Sequence, residues 1–180
     1  MSEHNDEKHP PSSQLGIWMI AAAWVVLLLI ATKQFAGSEN KKRFPNQNAQ
    51  AELIAGSQRL VLKATKDNHY LAHGSVNGRP ANFLLDTGAT TVAIPENLQA
   101  YYNLPGGAKS FAYTANGRIG VIETNIAELN IGGIVLTEIN ATLNPGMNYS
   151  DTILLGMSAL SLLGVNINDG ELTLTQPERL

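Results

Sequence analysis

One acidic residue, Asp86, stands where it could do acid–base chemistry. It ends the apolar run Phe83-Leu84-Leu85 and is followed at once by Thr87-Gly88-Ala89. A tight turn out of a buried strand would present this carboxylate, and burying a lone charge without a partner is costly, so a purely structural task is hard to find for it. Two adjoining carboxylates cannot both ionise, and a pair that shares one proton can act as base and acid together. Such a pair can hydrolyse a peptide bond with water alone.

Two other interpretations of the segment Asp86-Thr87-Gly88-Ala89-Thr90 remain open on the residues alone. Asp and Gly are ordinary turn formers, so the segment could be a structural turn at the end of a strand. The pattern Asp-x-Gly-x-Thr also opens the nucleotide sites of actin-like ATPases. Those folds need a far longer chain with alternating helices, and the sequence shows no such alternation.

Composition limits the other kinds of chemistry. The chain has 180 residues, of which 44% are hydrophobic, and this is enough for one domain plus appendages. It contains no Cys, which excludes disulfides and thiolate chemistry. The net charge of -3 with scattered Lys and Arg predicts no nucleic-acid partner. His69 and His73 would lie about 13 Å apart along a strand, too far for one ion, so we expect no metal and no cofactor.

The N-terminal part of the chain predicts a membrane anchor. Residues 1–14 are polar and contain Pro, which is typical of a disordered tail. Residues 15–32 carry no charge and would span about 27 Å as a helix, close to a ~30 Å hydrocarbon core. A cleaved signal peptide is the alternative, but acidic residues precede the segment and no small-residue cleavage site follows it. Residues 33–56 are predicted to be a tether.

From residue 57 to 177, the pattern predicts a β domain. Apolar residues recur at every second position, as in half-buried strands. Turn signals predict four hairpins, at Asn77-Gly78, Ala115-Asn116-Gly117, Gly132-Gly133 and Asp169-Gly170. Short helices are predicted at 95–101 and 157–163. Many short strands with little helix predict an all-β barrel or sandwich.

Three segments in order resemble the motifs of retropepsin-like proteases of clan AA, and their combination is similar to the bacterial membrane-anchored, single-domain family. Leu84-Leu85-Asp86-Thr87-Gly88-Ala89, followed by 91–95, resembles the active-site segment. Tyr113-Thr114-Ala115-Asn116-Gly117 resembles the flap hairpin, and Leu154-Leu155-Gly156 the apolar segment that supports the catalytic loop from behind. The resemblance covers roughly residues 57 to 176.

The resemblance implies a retropepsin-like closed β-barrel, half of a pepsin-type fold, with a flap and one or two short helices. Asp86 would be catalytic, the Thr87 hydroxyl would brace two loops, and Gly88 and Ala89 would let the backbone approach the carboxylates. Because the sequence has no second Asp-Thr-Gly, the other carboxylate would be Asp86 of a second copy related by a two-fold axis.

The implied activity is that of a homodimeric aspartic endopeptidase acting on proteins or peptides. Two alternatives are a non-catalytic peptide-binding or assembly module of the same fold, and a purely structural membrane-tethered β domain. Intact Asp86-Thr87-Gly88 argues against the first, because binding alone does not need the carboxylate.

The expected location is the bacterial inner membrane, as a single-pass protein that contacts the lipid bilayer through residues 15–32. Four basic residues follow this segment within 33–43 and only Lys8 precedes it, which favours a cytoplasmic domain by the positive-inside rule. Membrane-anchored relatives are expected to face the periplasm. We therefore expect a periplasmic domain and leave the orientation to experiment.

Overall fold

The computed structural model describes residues 18–19, 22–28, 45–114 and 117–177. Contacts divide the chain into two units, Met1–Lys41 and Lys42–Leu180. In the first unit, residues 18–19 and 22–28 are helical with exposed side chains, and the rest of the predicted span 15–32 lies outside the described residues, as do the predicted tail and residues 33–44. Across the described ranges, no helix has the length and apolarity that crossing a membrane requires.

The second unit is built mainly from strands. Its described strands are β1 Glu52–Ile54, β2 Ser57–Lys63, β3 Leu71–Val76, β4 Arg79–Leu85, β5 Val92–Pro95, β6 Lys109–Thr114, β7 Gly117–Ile131, β8 Ile134–Asn144, β9 Thr152–Leu155, β10 Gly164–Asn168 and β11 Glu171–Gln176. Its described helices are the 3-10 turns Glu96–Leu98 and Pro145–Met147 and the short α-helix Met157–Leu160. The predicted all-β class with few helices is therefore confirmed, while the closed barrel stays a prediction.

The strands form two sheets. One has four strands in the order β1-β2-β11-β10, and the other has seven in the order β3-β4-β9-β5-β8-β7-β6, with a further pairing of β3 with β7. Two of the pairings are parallel, β4 with β9 and β5 with β8. Parallel strands need a crossover connection, so they join segments distant in sequence. The β4–β9 pair thereby places the residues after Leu85 beside those after Leu155.

Alternating side chains of these strands build the core. The fully buried large side chains are Phe83, Leu60, Leu62, Ile94, Ile126, Leu129, Ile131, Ile134, Ile139, Leu143, Ile153 and Leu155. Each such side chain contributes on the order of 1.5–3 kcal/mol relative to an exposed one. The alternation predicted along β2 and β4 is confirmed, since Leu60, Leu62, Ala81 and Phe83 are all buried.

The predicted hairpins join the expected strands. Asn77 and Gly78 have φ of 49° and 77°, the left-handed conformation that a type I′ turn requires at both central positions. The turns at Gly132-Gly133 and Asp169-Gly170 likewise have positive φ at both residues. Thr114 pairs with Gly117, so β6 and β7 are joined by residues 115–116, which lie outside the described residues.

The start of the folded domain differs from the sequence prediction. The folded domain begins before residue 57, inside the predicted tether, because β1 lies there and Asn46 is 5% exposed. The Asn46 carboxamide donates to the carbonyls of Lys63 (2.9 Å) and Leu71 (2.8 Å) and accepts from the Lys63 N–H (2.8 Å). β7 is one continuous strand of 15 residues that joins the second predicted hairpin to the third.

Both predicted helices are shorter than the sequence suggested. The segment 95–101 holds one 3-10 turn, and the α-helix at 157–163 ends at Leu160. Leu162 and Leu163 donate to the carbonyls three residues earlier, so the chain tightens into a turn before β10 begins.

Candidate active site

The Asp86 loop is a tight turn that follows β4 directly. The Asp86 N–H donates to the Leu155 carbonyl on β9 (3.1 Å), and the Asp86 carbonyl accepts from the Ala89 N–H (3.2 Å). One carboxylate oxygen, Oδ1, accepts from the Gly88 N–H (2.9 Å). A Cβ on residue 88 would come within 3.1 Å of that oxygen, so glycine lets the backbone approach the carboxylate closely. These bonds fix where the carboxylate points.

Exposure differs along the Asp86 loop. Asp86 and Ala89 are half-buried, whereas Thr87 and Gly88 are exposed in the single chain. The brace that the resemblance implies for the Thr87 hydroxyl joins two loops, and it stays a prediction. In one chain by itself this side of the loop faces outward.

The predicted support segment lies directly behind the loop. A Cβ on Gly156 would approach the Ala89 carbonyl oxygen to 2.7 Å and the Thr91 carbonyl oxygen more closely still, so only glycine fits there. The Met157 N–H donates to the Ala89 carbonyl (2.8 Å), and the Ser158 N–H donates to the Thr90 carbonyl (3.0 Å). The structure thus brings the Gly156 segment and the Asp86 loop together.

Sequence reasoning missed Ser158, which ties the loop to two strands. Its Oγ accepts from the Val92 N–H on β5 (3.0 Å) and donates to the Asn140 carbonyl on β8 (2.7 Å). Val92 is fully buried, so its N–H has to find a partner inside the protein. The signal available in the sequence was a hydroxyl directly after Gly156-Met157, within the largely apolar run from 153 to 163.

A cleft of about 1030 Å³ opens between the Asp86 loop and the β6–β7 hairpin. The loop lines it with Asp86 and residues 88–91, and β6 lines it with residues 110–114. Residues 121 and 123–125 of β7 and residues 140–142 and 144 of β8 form its floor. The volume is at the upper end of the range for drug-sized sites and is ample for several residues of an extended peptide.

The segment predicted to be a flap lies at the end of the β6–β7 hairpin. β6 is the edge strand of the seven-stranded sheet, and Phe111 and Tyr113 are 59% and 84% exposed. The Arg118 guanidinium lies 3.5 Å from the Phe111 ring centroid, a cation–π contact that joins the two strands. The structure places Tyr113, Thr114 and Gly117 at the hairpin end, whereas Ala115 and Asn116 lie outside the described residues.

Among the described residues that line the cleft, Asp86 and Glu123 are the two that carry a carboxylate. Asp151 precedes β9 at the far end of the β4–β9 pair, roughly 16 Å along the strands from Asp86. It lines a separate pocket of about 350 Å³, where burial, Tyr101 and then Asp151 raise the pKa of Tyr102. Asp169 lies in the β10–β11 turn of the other sheet. The described residues contain no group of three or more His, Asp or Glu arranged to hold a metal ion.

Comparison with known proteins agrees with this geometry. A family model described as "gag-polyprotein putative aspartyl protease" matches residues 72–162, which include both the Asp86 loop and the Gly156 segment. The crystal structure of a retropepsin-like aspartic protease from Rickettsia conorii has the same fold, with a TM-score of 0.53 at 21% identity over 71% of this chain and 94% of that one.

A further relative is the "Uncharacterized protein in cobV 5'region" of Sinorhizobium sp, which is 28% identical over 156 residues, or 83% of this chain. The chain spans 66% of that relative's length. The family match covers more than half of the sequence, and the likeness to the solved structure confirms the fold. The chain belongs to the retropepsin-like aspartic protease family.

Proposed function

We propose that the protein is an aspartic endopeptidase that hydrolyses peptide bonds with a water activated by two Asp86 carboxylates, one from each copy of a homodimer. The observation that carries the proposal is the Asp86 turn, which is held from behind by the Gly156 segment and faces a cleft under a hairpin. A turn that served only to reverse the chain would need neither the cleft nor the carboxylate.

The chemistry requires two roles at once. One carboxylate takes a proton from the water as it attacks the carbonyl carbon, and the other gives a proton to the carbonyl oxygen. As the tetrahedral intermediate collapses, the carboxyl that took the proton from water gives it to the leaving amine and the C–N bond breaks. One hydroxyl of the intermediate returns its proton to the other carboxylate, which restores the pair. Two carboxylates that share one proton can fill both roles, since like charges so close cannot both ionise.

The second carboxylate is proposed to come from a second copy. Asp151 and Asp169 lie away from the loop, and Glu123 lies on β7, four strands from β4 in the sheet order. A two-fold axis beside the exposed Thr87-Gly88 side of the loop would bring two Asp86 side chains together and cover that side. The Thr87 hydroxyl would then face the other loop, as the family resemblance implies.

The substrate is proposed to bind as an extended strand beside β6. The outer edge of β6 has no partner strand in the described part of the chain, and residues 110–114 line the cleft. Edge strands readily pair with an added strand, whose backbone then provides affinity independent of sequence. Closure of the Tyr113–Gly117 hairpin over the peptide would exclude water from the reaction.

Residues 15–32 are proposed to anchor the protein in a bacterial inner membrane, with the protease domain in the periplasm. The proposal depends on the uncharged run in the sequence. A shared membrane would raise the effective concentration of the two copies. Digestion of the domain by added protease in intact spheroplasts supports this orientation, and protection until lysis contradicts it.

The experiment that tests the function compares three full-length chains on a diverse peptide library. Asp86→Asn keeps the shape of the side chain but cannot hold or share the proton, and we expect cleavage to fall at least about 100-fold. Asp169→Asn is the matched control, because Asn-Gly suits its type I′ turn as well as Asp-Gly, and it should cleave like the parent. Equal cleavage by Asp86→Asn and the parent would refute the proposal. Peptide binding without cleavage by the parent would instead favour the non-catalytic module.

A further inference from the structure

A row of four residues crosses the cleft floor from β7 to β9. Glu123 pairs with Thr142, Thr142 aligns with Ala93, and Ala93 lies opposite Leu154. All four line the cleft. Neighbouring strands are about 4.8 Å apart, so Glu123 lies roughly 14 Å along the sheet from Leu154, which is next to the catalytic loop. Glu123 thus lies at the opposite end of this row from the Asp86 loop.

Glu123 is exposed and has no cationic partner within the described ranges. The ion pair in these ranges joins Lys63 to Glu171 (3.9 Å) and lies in the four-stranded sheet. The nearest lysine along the hairpin, Lys109, pairs with Ile122, so it belongs to the opposite face of β7 from Glu123. The Glu123 carboxylate is therefore available to a ligand in the cleft.

The rest of the floor carries no charge and mixes polar with apolar side chains. On the face that carries Glu123, β7 adds Asn125, and β8 adds Asn140, Thr142 and Asn144. No Lys or Arg is among the residues that line the cleft in the described structure, whereas two carboxylates are. The field in the cleft therefore favours a positive side chain on the substrate and disfavours a negative one.

We infer that Glu123 binds a Lys or Arg side chain of the substrate and makes the protease prefer basic over acidic peptides. The inference depends on the proposed function for the substrate being a peptide. The roughly 14 Å between Glu123 and Leu154 places the recognised side chain away from the scissile bond rather than beside it. Because Glu123 is solvent-exposed, its pairing with a cation should change affinity by about two- to fivefold.

The test uses the full-length chain and sets of peptides that differ only by Lys, Gln or Glu at one position. The varied position is moved along the peptide, and the parent should cleave the Lys peptide about two- to fivefold faster in kcat/KM than the Gln peptide at the position that reaches Glu123. Glu123→Gln should remove this preference, and Glu123→Lys should reverse it in favour of the Glu peptide. The preference of the parent should shrink at high salt.

Glu128→Gln is the matched control, because Glu128 is an exposed carboxylate on the same strand outside the cleft lining. It should keep the preference of the parent. The inference is overturned if the parent shows no charge preference at any position, or if Glu123→Lys has the same preference as the parent.

A binding measurement separates the failure of this inference from the failure of the proposed function. Labelled Lys and Glu peptides are titrated with two inactive chains, Asp86→Asn alone and Asp86→Asn combined with Glu123→Lys, and fluorescence anisotropy is recorded. One outcome is that the parent cleaves no peptide, while the Asp86→Asn chain binds the Lys peptide more tightly and loses this preference when Glu123 is replaced. In that case the protease proposal is wrong and the selectivity of the cleft stands. If the parent cleaves peptides and neither inactive chain discriminates between them, the function stands and the Glu123 inference is wrong.

Discussion

Replacing Ser158 with Ala should destabilise the domain by removing the tie between the catalytic loop and strands β5 and β8. The change deletes one hydroxyl and leaves the side chain otherwise nearly the same size, so packing is hardly disturbed. Two hydrogen bonds disappear, one from the Val92 N–H (3.0 Å) and one to the Asn140 carbonyl (2.7 Å).

The two losses differ in size. Val92 is fully buried, so its N–H is left without a partner, which costs about 1–3 kcal/mol. Asn140 is exposed, so water can replace the hydroxyl at its carbonyl and the loss is nearer the net value of about 0.5–1.5 kcal/mol. Together they predict a decrease of about 2–4 kcal/mol in the free energy of unfolding, a large part of the roughly 5–15 kcal/mol typical of a domain.

Urea unfolding of the full-length chains, followed by far-UV circular dichroism, measures this decrease. Ser161→Ala is the control, because Ser161 is exposed at the end of the same helix and should change the free energy by less than about 0.5 kcal/mol. A Ser158→Ala free energy of unfolding within about 0.5 kcal/mol of the parent would refute the reasoning that Ser158 holds the loop.

Three further changes test other parts of the site. Gly156→Ala should lower the free energy of unfolding by about 3 kcal/mol, because its methyl group would meet the Thr91 and Ala89 carbonyls; an unchanged urea midpoint would contradict the close approach. Gly117→Val should lower kcat/KM with little change in unfolding, because Gly117 has a φ of 105° that a β-branched residue resists; unchanged kinetics would mean that the hairpin is not a flap. The raised pKa of Tyr102 favours its neutral form in the folded state, so its contribution to stability is complete below pH of about 10 and is lost as pH rises through the raised value. Tyr102→Phe should flatten that alkaline decrease in the urea midpoint, and an equally steep decrease would contradict it.

Features determined by neighbouring residues could be predicted from the sequence. Asn77-Gly78 supplies both left-handed positions of its turn, and the alternation of Leu60 and Leu62 distinguishes the buried face of β2 from the exposed one. Such patterns depend on backbone sterics and on a side-chain period of two, which act within a few residues. The hairpins and the β class therefore followed from the residues themselves.

Contacts between distant residues could not be predicted from spacing. The parallel pairing of β4 with β9 brings Asp86 beside the Gly156 segment, and the resemblance to a family was needed to expect it. Ser158 bonds to Val92 across 66 positions, and Asn46 bonds to Lys63 across 17, with no local signature in either case. Glu123 was missed because its place at the cleft depends on the registers of several strands.

The most direct test of the central claim, that the active site needs Asp86 from two copies, is a dilution series. The full-length chain in mild detergent is assayed on one cleaved peptide over a wide range of concentrations, and sedimentation of the same samples gives the mass of the active species. One chain supplies one Asp86, so specific activity should rise with concentration and saturate as monomers pair. Constant specific activity in samples that sediment as monomers would contradict the shared site, and the second acid would then have to lie within this chain.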